Sequence, residues 1–211
     1  APIAKKIYEE LGGSSPILRL TKEQSSALET KLNQSQTEDE YKCFIVMRCW
    51  HPRAKNVVKD VQIFEPDEIV LMPLYPQYSA ATSGSSIKEW KDVCKKKNYK
   101  IKMSTICCYP IDINFINAHT KEIIKKIKDL KNFILIFSAH GLPEKNIKKG
   151  DPYQWQVEQS VKKIVDNLND ENLDWILSYQ SRVGPLKWIG PSTEDTIIEN
   201  SKAGKHIVLV P

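Results

Sequence analysis

The 211-residue sequence is 41% hydrophobic and 27% charged, with 31 basic residues against 26 acidic ones, the balance of a globular protein rather than a disordered or fibrous one. The net charge of +5 is spread over helix-like stretches such as Lys121–Lys131 with no nucleic-acid motif beside them, so nucleic acid is not expected as a partner. Apolar runs such as Phe133–Phe137 and Ile207–Val210 are far short of the roughly 20 residues that span a bilayer.

The pattern alternates helix and strand along the chain. Residues 2–11 put Ile3, Ile7 and Leu11 on one helical face, and Gly12–Pro16 (GGSSP) breaks it. Thr21 with Gln24 reads as a capping box opening a helix that carries Ala27, Leu28 and Leu32. Cys43–Cys49 (CFIVMRC) reads as a buried strand, Ala54–Ile63 as a helix, Glu68–Pro73 as a strand and Ile87–Lys97 as a helix. A strand near Lys100–Ile106 precedes a long amphipathic helix with Phe115, Ile116, Ile123, Ile124 and Ile127. Then come the strand Phe133–Phe137, a helix over Gln154–Leu168, the strand Trp175–Tyr179, a helix over Thr193–Ser201 and the strand His206–Val210.

Short apolar strands alternating with amphipathic helices imply an α/β fold, with parallel sheets flanked by helices. The expected division gives two similar units, residues 1–104 and 105–211. The chain enters on a helix and stops at Val210–Pro211 on a strand. The expectation is therefore an internal piece of a longer protein, lacking an opening strand and its C-terminal helices. Five cysteines without CxxC spacing argue against a disulfide framework or a zinc centre and fit a reducing cytoplasm. The adjacent Cys107 and Cys108 are expected to be buried near a strand end.

Ligands of open α/β sheets bind beyond the C-terminal ends of the strands, and four loops rich in specific side chains are expected there. They are Met47–Pro52, Pro73–Ser79 running on to Thr82–Ser86, Phe137–Pro143 with Gly150–Tyr153, and Tyr179–Pro185 with Trp188–Thr193. His140, three residues past Phe137, is the strongest single candidate: imidazole titrates near neutral pH and serves equally as a base or as a ligand for Fe²⁺. A loop histidine held by backbone is the competing reading. Ser138 does not make a hydrolase, because no GxSxG elbow surrounds it. Arg48 can pin a carboxylate or close an ion pair between helices. Trp50, Tyr75, Tyr78, Tyr153 and Trp188 suit a flat apolar ligand, and each suits core packing as well. His119 sits on the apolar stripe of its helix and His206 opens a strand, both structural positions.

Taken together, FSAHGLP at Phe137–Pro143, GDPY at Gly150–Tyr153 and YQSRVGPLKWIGPSTED at Tyr179–Asp195 resemble the ferrochelatases in order and spacing. GGSSP, MRCWHP, PLYPQYS with TSGSS, and ICCYP extend the likeness over essentially the whole chain. The resemblance implies two Rossmann-like lobes and insertion of ferrous iron into protoporphyrin IX, the last step of haem biosynthesis. It makes His140 the catalytic and metal-site histidine. Tyr8, Ser15 and Arg48 match porphyrin-pocket positions, and Trp188 matches a pocket-wall aromatic. Cys49 departs from the tyrosine often found after that arginine. Porphyrin and Fe²⁺ are the implied substrates. No cofactor is required beyond them, and the iron–sulfur cluster of some members finds no support in this chain. The implied setting is the cytoplasm, with room for peripheral association with the inner membrane. The competing readings are a related cobalt or sirohydrochlorin chelatase, against which the YQSRVGP–WIGP region argues, and a porphyrin-binding but catalytically incomplete piece. Residues 1–211 alone are expected to be inactive, because the family's acidic partner of the histidine follows the VLVP strand.

Overall fold

The computed structural model describes residues 9, 12–34, 38–182 and 184–211. The chain divides into two compact units, Ala1–Ile69 with Lys88–Lys102 and Val70–Ile87 with Met103–Pro211. Against the expected boundary at residue 104, the segment Val70–Ile87 goes with the second unit. Its side chains explain this: Gln77 Nε2 donates to Ser160 Oγ at 2.9 Å, and the Tyr78 amide donates to Gln156 Oε1 at 2.7 Å.

In the first unit, α1 spans Ile17–Asn33 and α2 spans Ala54–Phe64. Helix α1 starts at Pro16 rather than at Thr21, with the Leu20 amide bonded to the Pro16 carbonyl at 3.0 Å. The expected capping box is absent, since the Thr21 hydroxyl lies inside the helix and donates to the Ile17 carbonyl at 2.7 Å. Proline supplies a helical φ at no cost in hydrogen bonds there. Of the expected Ala27, Leu28 and Leu32 face, Ala27 and Leu28 are exposed while Leu32 is half-covered, on the same side as the half-covered Leu18, Thr21, Ser25 and Glu29. The expected helix over residues 2–11 lies almost wholly outside the described residues.

Cys43–Cys49 is not a strand. Its amides find partners other than a ladder: Cys43 N–H donates to Glu29 Oε2 at 2.7 Å, and Met47 N–H to the Pro52 carbonyl at 2.8 Å. Just before it, Asn33 Oδ1 takes the Tyr41 amide at 2.8 Å while its Nδ2 donates to the Tyr41 carbonyl at 2.8 Å. An apolar run becomes a strand only where a neighbour offers its own backbone groups, and here α1 side chains fill that role. The Cys43 amide and the Lys42 ammonium hold the Glu29 carboxyl below its ordinary range.

Strands β1 (Glu68–Leu71) and β2 (Lys102–Thr105) pair in a two-stranded sheet. Between them a turn of π-helix, Ala80–Gly84, leads into α3 (Ser85–Lys96). Ala54, Val57, Val58 and Val61 of α2 are buried in the first unit, as are Trp90 and Cys94 of α3.

The second unit adds α4 (Ile113–Ile127), β3 (Phe133–His140), α5 (Glu144–Lys148), α6 (Tyr153–Leu168), β4 (Trp175–Gln180), α7 (Thr193–Lys202) and β5 (His206–Val210). Asp112 caps α4 by accepting from the Asn114 and Phe115 amides at 3.0 and 3.1 Å, and Ser192 caps α7 through the Asp195 amide at 3.3 Å. The sheet order is β4-β3-β5, all parallel, with β3 in the centre. Successive side chains of a strand point to opposite faces. Leu135 and Phe137 therefore share one face, where they cluster with Ile116 and Ile123 of α4, Val157, Val161 and Ile164 of α6, Tyr179 and Val210. Ile134, Ile136 and Ser138, also buried, turn to the other face, where α7 packs on all three strands. Thr193 fixes that side, its hydroxyl 3.1 Å from Ser138 Oγ and 2.9 Å from Ser178 Oγ. The result is a three-layer α/β/α unit with the central strand covered on both sides, which is why β3 reads as a continuous apolar run. Ile124, expected in the apolar stripe of α4, is exposed.

Candidate active site

His140 is the last residue of β3, not a loop residue three positions past the strand. Pairing of Ala139 with Tyr179 and of His140 with Gln180 carries the ladder to it. It stands exposed at the C-terminal end of the central strand, where ligands of parallel sheets bind. Its Nδ1 lies 3.0 Å from the Gly141 carbonyl oxygen. A carbonyl can only accept, so this contact assigns the proton of the neutral ring to Nδ1 and leaves the lone pair on Nε2.

The turn after His140 is clamped from the β4 side. The Gly141 amide donates to the Gln180 carbonyl at 2.7 Å, Ile189 N–H to the Leu142 carbonyl at 3.1 Å, and Glu144 N–H to the Lys187 carbonyl at 2.9 Å. Pro143 and Trp188 form an antiparallel bridge. The Glu144 carboxylate, held low chiefly by Lys187, reaches Lys187 Nζ at 3.2 Å and Lys148 Nζ at 3.5 Å. A Cβ on Gly141 would stand 2.8 Å from the Gln180 carbonyl oxygen and 3.3 Å from Trp188 Cε3. Only glycine lets the strand turn this tightly against the Trp188 ring. Trp188 is half-buried, and its Nε1 is buried without a hydrogen-bond partner among the described residues. Tyr179, 2% exposed, likewise has an unpartnered hydroxyl, and burial pushes that hydroxyl well up. Burial also raises Tyr153, opposed by the His140 backbone group beside it.

The GDPY motif makes a separate set of contacts. Asp151 Oδ2 accepts from Ser79 Oγ and from the Ala80 amide, both at 2.9 Å, and Oδ1 accepts from the Tyr153 amide at 3.1 Å. One carboxylate thereby ties the QYS–TSGSS loop to the start of α6. Gly84 closes the same loop over Tyr78, since a Cβ there would meet Tyr78 Oη at 2.5 Å. Sequence reasoning singled out these motifs without finding this role. The legible signal was Gln156, a polar residue inside the apolar face of its helix: it is buried and holds the Tyr78 amide.

The described candidates fall in different units. His140 and Trp188 come together in the second unit. Arg48 and Ser15 belong to the first, and Tyr8 lies outside the described residues. Of the two readings of Arg48, its contact is the ion pair: Nη1 lies 3.6 Å from Glu89 Oε2, while Arg53 takes Oε1 of the same carboxylate at 2.6 Å. The loop it occupies follows no strand, contrary to expectation. Ser15 is exposed and accepts the Ile17 amide at 3.3 Å. His119 stacks edge-on against Phe115 with centroids 4.6 Å apart, and burial lowers its pKa. His206 opens β5, its amide on the Asn132 carbonyl at 2.9 Å. Among the described residues no three His, Cys, Asp or Glu side chains gather to hold a metal.

A family model for ferrochelatase matches residues 1–211. The chain belongs to the ferrochelatase family. It is 84% identical over its whole length to a ferrochelatase of Pelagibacter ubique (strain HTCC1062) and covers 61% of that protein. It is 46% identical to one of Rickettsia bellii (strain OSU 85-389), with 99% of this chain and 57% of the relative aligned. To one of Hyphomonas neptunium (strain ATCC 15444) it is 45% identical, with 100% of this chain and 59% of the relative aligned. The chain thus spans about three fifths of the length of these ferrochelatases. The α/β architecture, with helices against the parallel sheet of the second unit, is the one the family resemblance led us to expect.

Proposed function

We propose that the protein inserts ferrous iron into protoporphyrin IX to form protohaem. The observation that carries this reading is the His140 ring at the end of the central strand, with Nδ1 committed to the Gly141 carbonyl and Nε2 without a partner among the described residues. Metal insertion replaces two pyrrole N–H protons by Fe²⁺, and both protons must leave. Nε2 is the atom that takes a pyrrole proton or holds the incoming ion. Clamping of the next residue by Gln180 fixes the direction of the ring, so no ordering of the loop opposes the step.

Trp188 is the proposed apolar wall for the macrocycle, with Tyr8 and Ser15 as further pocket residues. Arg48 is proposed to meet a porphyrin carboxylate, since its hold on Glu89 is the looser of the two arginine contacts. The proposed setting is the cytoplasm, where five unpaired thiols stay reduced, with contact to a membrane surface from outside the bilayer. Among the described residues no helix is long and apolar enough to cross a membrane.

The test is anaerobic incubation of the full-length protein with Fe²⁺, or Zn²⁺ as surrogate, and protoporphyrin, following metalloporphyrin absorbance. Turnover above the uncatalysed rate is expected. His140→Ala should cost about 10²–10⁴-fold in rate, the range of a lost general base, while porphyrin affinity stays within a few-fold. Porphyrin binding without metallation, or near-normal turnover in the variant, overturns the proposal.

A further inference from the structure

Cys107 and Cys108 play no part in the reaction proposed above, and their geometry is unusual. In an extended chain adjacent side chains point to opposite sides. Here the two Sγ atoms lie 3.1 Å apart, so the backbone has turned to bring both to one side just beyond β2. The turn is pinned at each end: Ile106 N–H donates to the Leu71 carbonyl at 2.9 Å, and Tyr109 N–H to the Pro76 carbonyl at 2.8 Å. Cys107 is exposed, contrary to the expectation that both are buried, and Cys108 is half-buried with Gln156 Nε2 at 3.6 Å from its sulfur.

Two sulfurs without a third protein ligand do not make a zinc centre, whereas a trivalent centre that already carries one organic substituent needs only two thiolates to complete it.

We propose that Cys107 and Cys108 form a chelating site for trivalent arsenicals, compounds of the type R–As=O. Attack begins at the exposed Cys107 and closes on Cys108. Both S–H bonds and the arsenic–oxygen double bond break, two S–As bonds form, and the two thiol protons leave with the oxygen as water. Arsenic stays trivalent throughout, so the step needs no oxidant or reductant. Because the second thiol is already in place, closure is intramolecular and gains about 10²–10⁴ over a single thiol.

The probe is phenylarsine oxide, added to the reduced full chain and followed by intact mass and thiol titration. The expected result is one adduct that removes two titratable thiols, survives washing with a monothiol and is reversed by a dithiol. Cys107→Ser, Cys108→Ser and Cys108→Ala should each weaken retention by about 10²–10⁴-fold, and Cys49→Ser should leave it unchanged. Loss of a single thiol per arsenic overturns the proposal. So does a monothiol-resistant adduct that persists in the Cys107 variant, or one abolished by Cys49→Ser.

Discussion

Replacing Asp151 by Asn removes a single charge and one acceptor while keeping the shape, and the three contacts of the carboxylate dictate the outcome. If the amide nitrogen takes the Oδ2 position, it faces the Ala80 amide, a donor against a donor, and the buried Ser79 hydroxyl loses its acceptor. If it takes the Oδ1 position, it faces the Tyr153 amide instead. Neither flip satisfies all three partners. A hydrogen bond to a charged group is worth about 1.5–3 kcal/mol and an unmet buried donor costs about 1–3 kcal/mol. The Ala80 side is open to water, which brings the expected loss to about 1–2 kcal/mol. At an m-value near 3 kcal/mol/M in urea, the midpoint should fall by about 0.3–0.7 M with m unchanged. Asp151→Ala, which removes all three contacts, should fall further. Urea unfolding followed by far-UV circular dichroism measures both variants. An Asn variant with the wild-type midpoint would refute the claim that this carboxylate ties the loop to α6.

Gly141→Ala places a methyl group against the Gln180 carbonyl and Trp188. It should cost about 1–3 kcal/mol, the usual penalty of overpacking, and shift the His140 ring resonances; unchanged resonances would mean the turn has room to spare. His119 gives a pH signature. Burial lowers its folded pKa below 6.5, so as pH falls through 6.5 the unfolded chain takes up the proton first and stability declines until the folded pKa is passed. Above that window the residue has no effect. Equilibrium unfolding at stepped pH should show this decline in the parent and its loss in His119→Gln, and an identical slope in both would remove the assignment.

The element order was legible because burial writes its own pattern. The strand Phe133–Phe137 is apolar throughout because both its faces are covered, and α4 and α6 carry helical stripes because each covers one face. The same logic failed at Cys43–Cys49, whose composition is that of a strand. Whether an apolar run joins a ladder depends on what stands beside it, and that neighbour, the Glu29 and Asn33 side chains of α1, is remote from any local signal. The motif residues were visible one by one, yet their roles were not. That Asp151 reaches Ser79 and Ala80, that Gln156 reaches Tyr78, and that β3 extends to His140 because Gln180 pairs with it are all long-range facts. The sequence by itself determined the α/β alternation, the doubly covered run of β3 and the identity of His140 as the group to watch. Only the tertiary structure decided which nitrogen of that ring is free, because the Gly141 carbonyl is brought beside Nδ1 by contacts with β4, some forty residues further along the chain.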